Sequence, residues 1–89
     1  MERFLEFIRI HHNPLTAITH DLQGCSTPQE ADAILSEMMK EWQRKIDHMD
    51  MKKRDSGTLS ELQEANRSQF QREVRDMAKL RALLHDHFR

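Results

Sequence analysis

The sequence predicts an all-α protein, a long antiparallel helical hairpin preceded by two short helices. Three observations lead to this prediction. Apolar residues recur at three- and four-residue steps, which is the period of an amphipathic helix, and no stretch alternates as a strand would. The composition favours strong helix formers and contains only two Gly, two Pro and no Tyr. Start and stop signals then divide the chain into helices near 2–11, 14–23, 28–54 and 59–88.

The two short helices are separated by Asn13-Pro14. Asn13 is expected to cap the second helix from its side chain, with Pro14 at the first helical position, where its missing N–H is not needed. Gly24 is expected to close this helix as the residue just past its C-terminal cap. Both helices are so short that each would be only marginally stable in isolation.

The two long helices each begin with a predicted capping box. Thr27 is expected to accept a hydrogen bond from the amide of Glu30, whose carboxylate reaches back to the amide of Thr27. A second box is predicted over 58–61, directly after the stop signal at Gly57. The loop between the long helices is therefore about four residues, which makes the helices antiparallel neighbours.

The apolar stripes of the long helices are broader than one partner helix requires. The main seam comprises Ala31, Leu35, Met38, Trp42, Ile46 and Met49 in the first, and Leu59, Leu62, Phe70, Val74, Met77, Leu80, Leu84 and Phe88 in the second. Beside this seam lie the further apolar residues Ile34, Met39, Ala78 and Leu83. A chain of 89 residues has a poor surface-to-volume ratio and gains from further burial. We therefore expect each chain to form one domain, 1–89, in which 1–24 form the short helices and 25–89 the hairpin. Two such chains are expected to associate as a dimeric helical bundle.

Composition and charge exclude several classes of protein. The net charge is −1, from 14 basic and 15 acidic residues, which argues against a dedicated nucleic-acid binder. No apolar run approaches the roughly 18 residues of a membrane span. Glu2 and Glu6 lie in the opening segment, which therefore does not resemble a secretory signal. With one cysteine and no possible internal disulfide, a reducing, cytoplasmic location is expected.

The sequence gives little support for catalysis or for a metal site. It contains no glycine-rich phosphate loop and no nucleophile elbow, so neither an enzyme nor a cofactor is expected. The six histidines are His11, His12, His20, His48, His85 and His87. None is followed by another at the three- or four-residue spacing that places two ligands on one helix face, and no metal ligand is assigned. A histidine-based metal or pH sensor remains an alternative.

One short segment resembles a known family. Asn13-Pro14-Leu15-Thr16-Ala17-Ile18 is similar to the segment that follows the phosphoacceptor histidine in the dimerisation helix of sensor histidine kinases. The resemblance covers six residues and implies a dimeric signalling bundle. Arg9 stands where the family has its phosphoacceptor, and Ile10 stands where it has the acidic neighbour, so the phosphotransfer chemistry does not carry over.

These observations predict a non-catalytic protein–protein interaction module that acts through helix packing, such as an adaptor, small chaperone, regulator or assembly subunit. The alternative is a signalling bundle of the phosphotransfer type. The predicted partner-binding residues are the large apolar side chains of the N-terminal helices and three residues of the hairpin. Of these three, the two methionines can adapt to the shape of a partner, and the tryptophan can anchor an interface. The predicted residues are Phe4, Phe7, Ile8, Leu15, Met39, Trp42 and Met51.

Overall fold

A computed structural model describes residues 1–88, and 86% of these residues are helical. Its four α-helices are α1 (Glu2–His11), α2 (Thr16–Thr19), α3 (Pro28–Ser56) and α4 (Glu61–His87). Short 3₁₀ turns at Asn13–Leu15 and His20–Leu22 flank α2. The described residues contain no strand. The predicted all-α hairpin with short N-terminal helices is confirmed.

Helices α3 and α4 form the hairpin and run antiparallel. Asp32, near the start of α3, binds Arg81 near the end of α4, whereas Lys53 at the end of α3 binds Glu64 at the start of α4. Between the two helices Gly57 has a φ of +83°, and its N–H donates to the carbonyl of Lys53 at 2.7 Å. Glycine is needed at this position because a side chain strains the left-handed conformation. The predicted stop at Gly57 is confirmed.

The cap of α4 differs from the prediction. Ser60, not Thr58, precedes the helix, and its hydroxyl accepts a hydrogen bond from the amide of Gln63 at 3.2 Å. The side-chain oxygen of Gln63 accepts in return from the amide of Ser60 at 3.0 Å. The capping box predicted over 58–61 is therefore wrong by two residues. Ser60 has both the extended backbone of a cap and a Gln three residues later, a combination that satisfies both amides.

The cap of α3 follows the prediction in one of its two bonds. Thr27 accepts from the amide of Glu30 at 3.2 Å, as expected. The carboxylate of Glu30, however, accepts from the amide of Ser26 at 3.0 Å instead of from Thr27. Glu30 thereby helps to hold the loop that enters the helix.

The predicted second helix, 14–23, is broken into three short pieces. Asn13 lies inside the first 3₁₀ turn, and its side chain donates to the carbonyl of Arg9 at 3.5 Å instead of capping the second helix, so its predicted role is wrong. Thr16 and Thr19 each donate a side-chain hydroxyl to the carbonyl three residues earlier, which competes with regular α-helical bonding. Gly24 directly follows Gln23, the C-terminal cap of the His20–Leu22 turn, so it closes the segment as predicted, although without a positive φ.

The hydrophobic core lies at the end of the hairpin opposite Gly57. Helix α1 and the 13–22 segment cover this end and bury their apolar residues against both long helices. The core cluster comprises Phe4, Ile8, Leu15, Leu22, Cys25, Ala31, Leu35, Leu80 and Leu84. No residue in 47–76 is buried, so the half of the hairpin near the turn consists of two helices without a covering layer. None of the helices over residues 1–88 is both long and apolar enough to cross a bilayer.

Candidate interaction surface

The predicted partner-binding residues of the N-terminal helices divide into two groups. Phe4 and Ile8 are completely buried, and Leu15 is nearly so, because all three pack into the core of their own chain. Phe7 packs against the edge of this core and is only partly buried. A partner could reach Phe4, Ile8 or Leu15 only if the N-terminal segment moved away from the hairpin.

Three imidazoles surround the ring of Phe7, a feature that sequence reasoning missed. Ring centroids of His11, His12 and His87 lie 5.1, 5.6 and 5.8 Å from that of Phe7. The four-residue spacing that brings His11 to Phe7 can be read from the sequence. The packing of α4 that brings His87 to the same ring cannot. Over residues 1–88 the structure gathers no group of three His, Cys, Asp or Glu side chains suited to a metal ion.

Trp42 lies in the seam between the long helices. Its ring centroid is 4.8 Å from that of Phe70, and the ammonium of Lys45 lies 4.3 Å above the indole. A cation at this distance is attracted by the electron-rich face of the ring. Met39 is partly buried, whereas Met51 is 58% exposed and lies nine residues beyond Trp42, about 13 Å along α3. The structure therefore does not gather Met51 with Trp42 in one site.

A groove of about 460 Å³ runs along the outer face of α3, and we call it the α3 trough. It is lined by Ala33, Ile34, Glu37, Met38, Glu41 and Arg44. Met38 also lines a neighbouring hollow of about 270 Å³, in which Trp42, Ile18 and Met77 lie beside the carboxylates of Asp21, Glu73 and Asp76. The two depressions together form an apolar floor with a mainly acidic rim.

The half of the hairpin near Gly57 exposes apolar side chains. Leu62 is 71% exposed and Met51 is 58% exposed, while Met49 and Phe70 are partly buried. No residue of 47–76 in either long helix is buried. Such a surface is typical of a helix pair that completes its packing against another protein.

Cys25 is a buried thiol of the core cluster. Burial raises the pKa of the Cys25 thiol, and the nearby carboxylate of Glu30 adds to the increase. The thiol is therefore protonated at neutral pH, and the charged group that acts on it is an acid rather than the cation that activates a nucleophile.

Comparisons of this chain with models of known protein families, with curated proteins and with solved structures found no match. The function is therefore inferred from the surfaces that the residues form.

Proposed function

We propose that the protein is a non-catalytic protein–protein interaction module that acts through helix packing, as an adaptor, small chaperone, regulator or assembly subunit. The partner that its surface favours is a second copy of the chain. The single cysteine, buried as a thiol, supports a reducing, cytoplasmic setting for this role.

The observation that carries the proposal is an excess of exposed surface. The chain exposes 6375 Å², whereas a compact monomer of 10.6 kDa is expected to expose about 5,500 Å². The excess of about 900 Å² is close to the area of about 800 Å² that each partner contributes to a standard protein–protein interface. One self-association event of ordinary size would therefore bring the exposed surface to that of a compact protein.

The shape of the molecule supports the same proposal. Its principal extents are 47 × 22 × 20 Å, and its radius of gyration is 15.3 Å. A compact chain of this length has a radius of gyration of about 12 Å. The elongation comes from the uncovered half of the hairpin, and a second hairpin packed beside it would supply the four helices of an ordinary bundle.

Sedimentation equilibrium and light scattering test the proposal over concentrations from about 1 μM to about 1 mM, the range in which modest interfaces dissociate and form. We expect a mass that rises toward twice 10.6 kDa with concentration. A mass that stays near 10.6 kDa over the whole range would overturn self-association.

A further inference from the structure

Charge is distributed unevenly along α3. The first half, 28–41, has a net charge of −3, and the second half, 42–56, has a net charge of +2. The charged residues are Glu30, Asp32, Glu37, Lys40 and Glu41 in the first half, and Arg44, Lys45, Asp47, Asp50, Lys52, Lys53, Arg54 and Asp55 in the second. A helix with ends of opposite charge attracts a second copy of itself only when the two run antiparallel.

Some of these charges are already paired with α4 in the same chain. Asp32 binds Arg81, and Lys53 binds Glu64, across the hairpin seam. Glu41 and Lys52 are both exposed, and over residues 1–88 neither takes part in an ion pair. They are therefore available to a partner.

Glu41 and Lys52 lie on one face of α3. The positions 38, 41, 45 and 52 follow three-, four- and seven-residue steps, so their side chains form a single stripe along the helix. Met38 and Glu41 also line the α3 trough. The stripe thus begins in the trough and continues into the uncovered half of the hairpin.

We infer that two copies pair antiparallel along this stripe, so that Glu41 of each copy meets Lys52 of the other. The inference rests on the proposed function and names the surface that performs it. Glu41 and Lys52 are eleven residues apart, about 16 Å along the helix, and a two-fold axis midway between them forms the pair twice. The uncovered half of each hairpin then lies along the α3 trough of the other copy. A parallel pairing would place Glu41 against Glu41 and Lys52 against Lys52, which is repulsive.

Charge reversal tests this arrangement. We expect Glu41→Lys and Lys52→Glu, each alone, to weaken the dimer about tenfold, because each change makes two attractive contacts repulsive. The double variant restores the pairs in reversed order and should return the dissociation constant to within about threefold of the unmodified chain. Dissociation constants come from sedimentation equilibrium, and far-ultraviolet circular dichroism confirms that each variant remains helical.

Matched controls carry the same charge changes away from the stripe. Asp47→Lys and Lys79→Glu alter exposed residues of α3 and α4 and should leave the dissociation constant unchanged. A dimer that is equally weakened by the controls, or that is not restored in the double variant, would overturn the inference.

Cross-linking tests the orientation independently of affinity. A chain carrying Glu41→Cys is mixed with one carrying Lys52→Cys under mild oxidation, while the native Cys25 is buried. Antiparallel pairing predicts mostly the mixed disulfide between the two variants. Cross-linking of each variant mostly with itself would indicate parallel pairing and overturn the inference.

The proposed function and this inference fail in different ways. A chain that is monomeric throughout the concentration range overturns both. A dimer that is insensitive to charge at positions 41 and 52 overturns only the assigned surface and leaves self-association intact.

Discussion

Asp32 in α3 and Arg81 in α4, 49 residues apart in sequence, form a two-pronged ion pair at the end of the hairpin opposite Gly57. The guanidinium Nε lies 2.6 Å from Oδ1 of Asp32, and Nη2 lies 3.3 Å from Oδ2. Nε2 of His85 lies 2.8 Å from the same Oδ1. This contact aligns the two long helices beside the hydrophobic core.

The first prediction concerns Asp32→Asn. The hydrogen bond from Arg81 lowers the pKa of the Asp32 carboxyl in the folded chain, and the hydrogen bond with His85 acts in the same direction. A lowered pKa stabilises the fold above about pH 3.9, the value of an unfolded aspartate, and this stabilisation is lost as pH falls through the folded pKa. We therefore expect the variant to lose about 1 kcal/mol of stability at pH 7, a modest value because the pair is partly solvated.

Urea unfolding at several pH values measures this effect. The difference between the unmodified chain and Asp32→Asn should shrink as pH falls below about 4. Asp47→Asn is the matched control, since Asp47 is exposed and, among residues 1–88, its side chain bonds only to Gln43 on its own helix. If Asp32→Asn lowered the free energy of unfolding by the same amount at pH 2 and pH 7, the ion pair would not be the cause of the loss.

The second prediction compares the two glycines. Gly57→Ala should destabilise the chain by about 1 kcal/mol, because alanine is strained at a positive φ. A side chain at position 57 would meet no atom within 4 Å, so the cost is conformational rather than steric. Gly24→Ala is the control, since Gly24 also has open space but no positive φ. Gly24→Ala should leave the stability unchanged or increase it. Thermal melts measure both variants, and an equal loss of stability in the two would contradict the prediction.

The third prediction tests the cap of α4. Ser60→Ala removes the hydroxyl that accepts from the amide of Gln63 and should cost about 1 kcal/mol. Thr58→Ala, two residues earlier and outside the cap, should change stability by less than about 0.5 kcal/mol. Denaturant unfolding distinguishes the two. A larger loss for Thr58→Ala would restore the capping box that the sequence suggested.

The fourth prediction compares one substitution in two surroundings. Leu22 is completely buried in the core, whereas Leu62 is 71% exposed in the uncovered half of the hairpin. Leu22→Ala should cost about 2–5 kcal/mol, because it removes apolar contacts and leaves a cavity. Leu62→Ala should change the free energy of unfolding by less than about 0.5 kcal/mol when it is measured on the monomer at low concentration.

The same pair of variants tests the role of the N-terminal segment. If 13–22 were a loosely attached docking element, Leu22→Ala would cost no more than Leu62→Ala. Chemical denaturation followed by the fluorescence of Trp42, the only tryptophan, measures both variants.

Sequence reasoning predicted the features of the fold that depend on neighbouring residues. The helical period, the helix stop at Gly57 and the hydrogen bond from the amide of Glu30 to the side chain of Thr27 are local, and all three were predicted. Local reasoning failed where two nearby residues compete for one role. Thr58 and Ser60 are both reasonable caps, and the geometry of the turn after Gly57 decides between them.

The candidate surface was predicted only in part, because an apolar period identifies the inward face of a helix but not which neighbour covers it. Phe4, Ile8 and Leu15 have the same sequence character as the exposed Leu62 and Met51, yet the first three form the core. By itself, the sequence determined four helical segments and a hairpin, since caps, glycine and periodicity act over a few residues.

Only the tertiary structure decided that the N-terminal segment covers one end of the hairpin and leaves the other end open. It also decided that Arg81 reaches Asp32 and that His87 reaches Phe7. The physical reason is that contacts between distant segments depend on how whole helices pack, and the free energy of that packing is shared among many side chains.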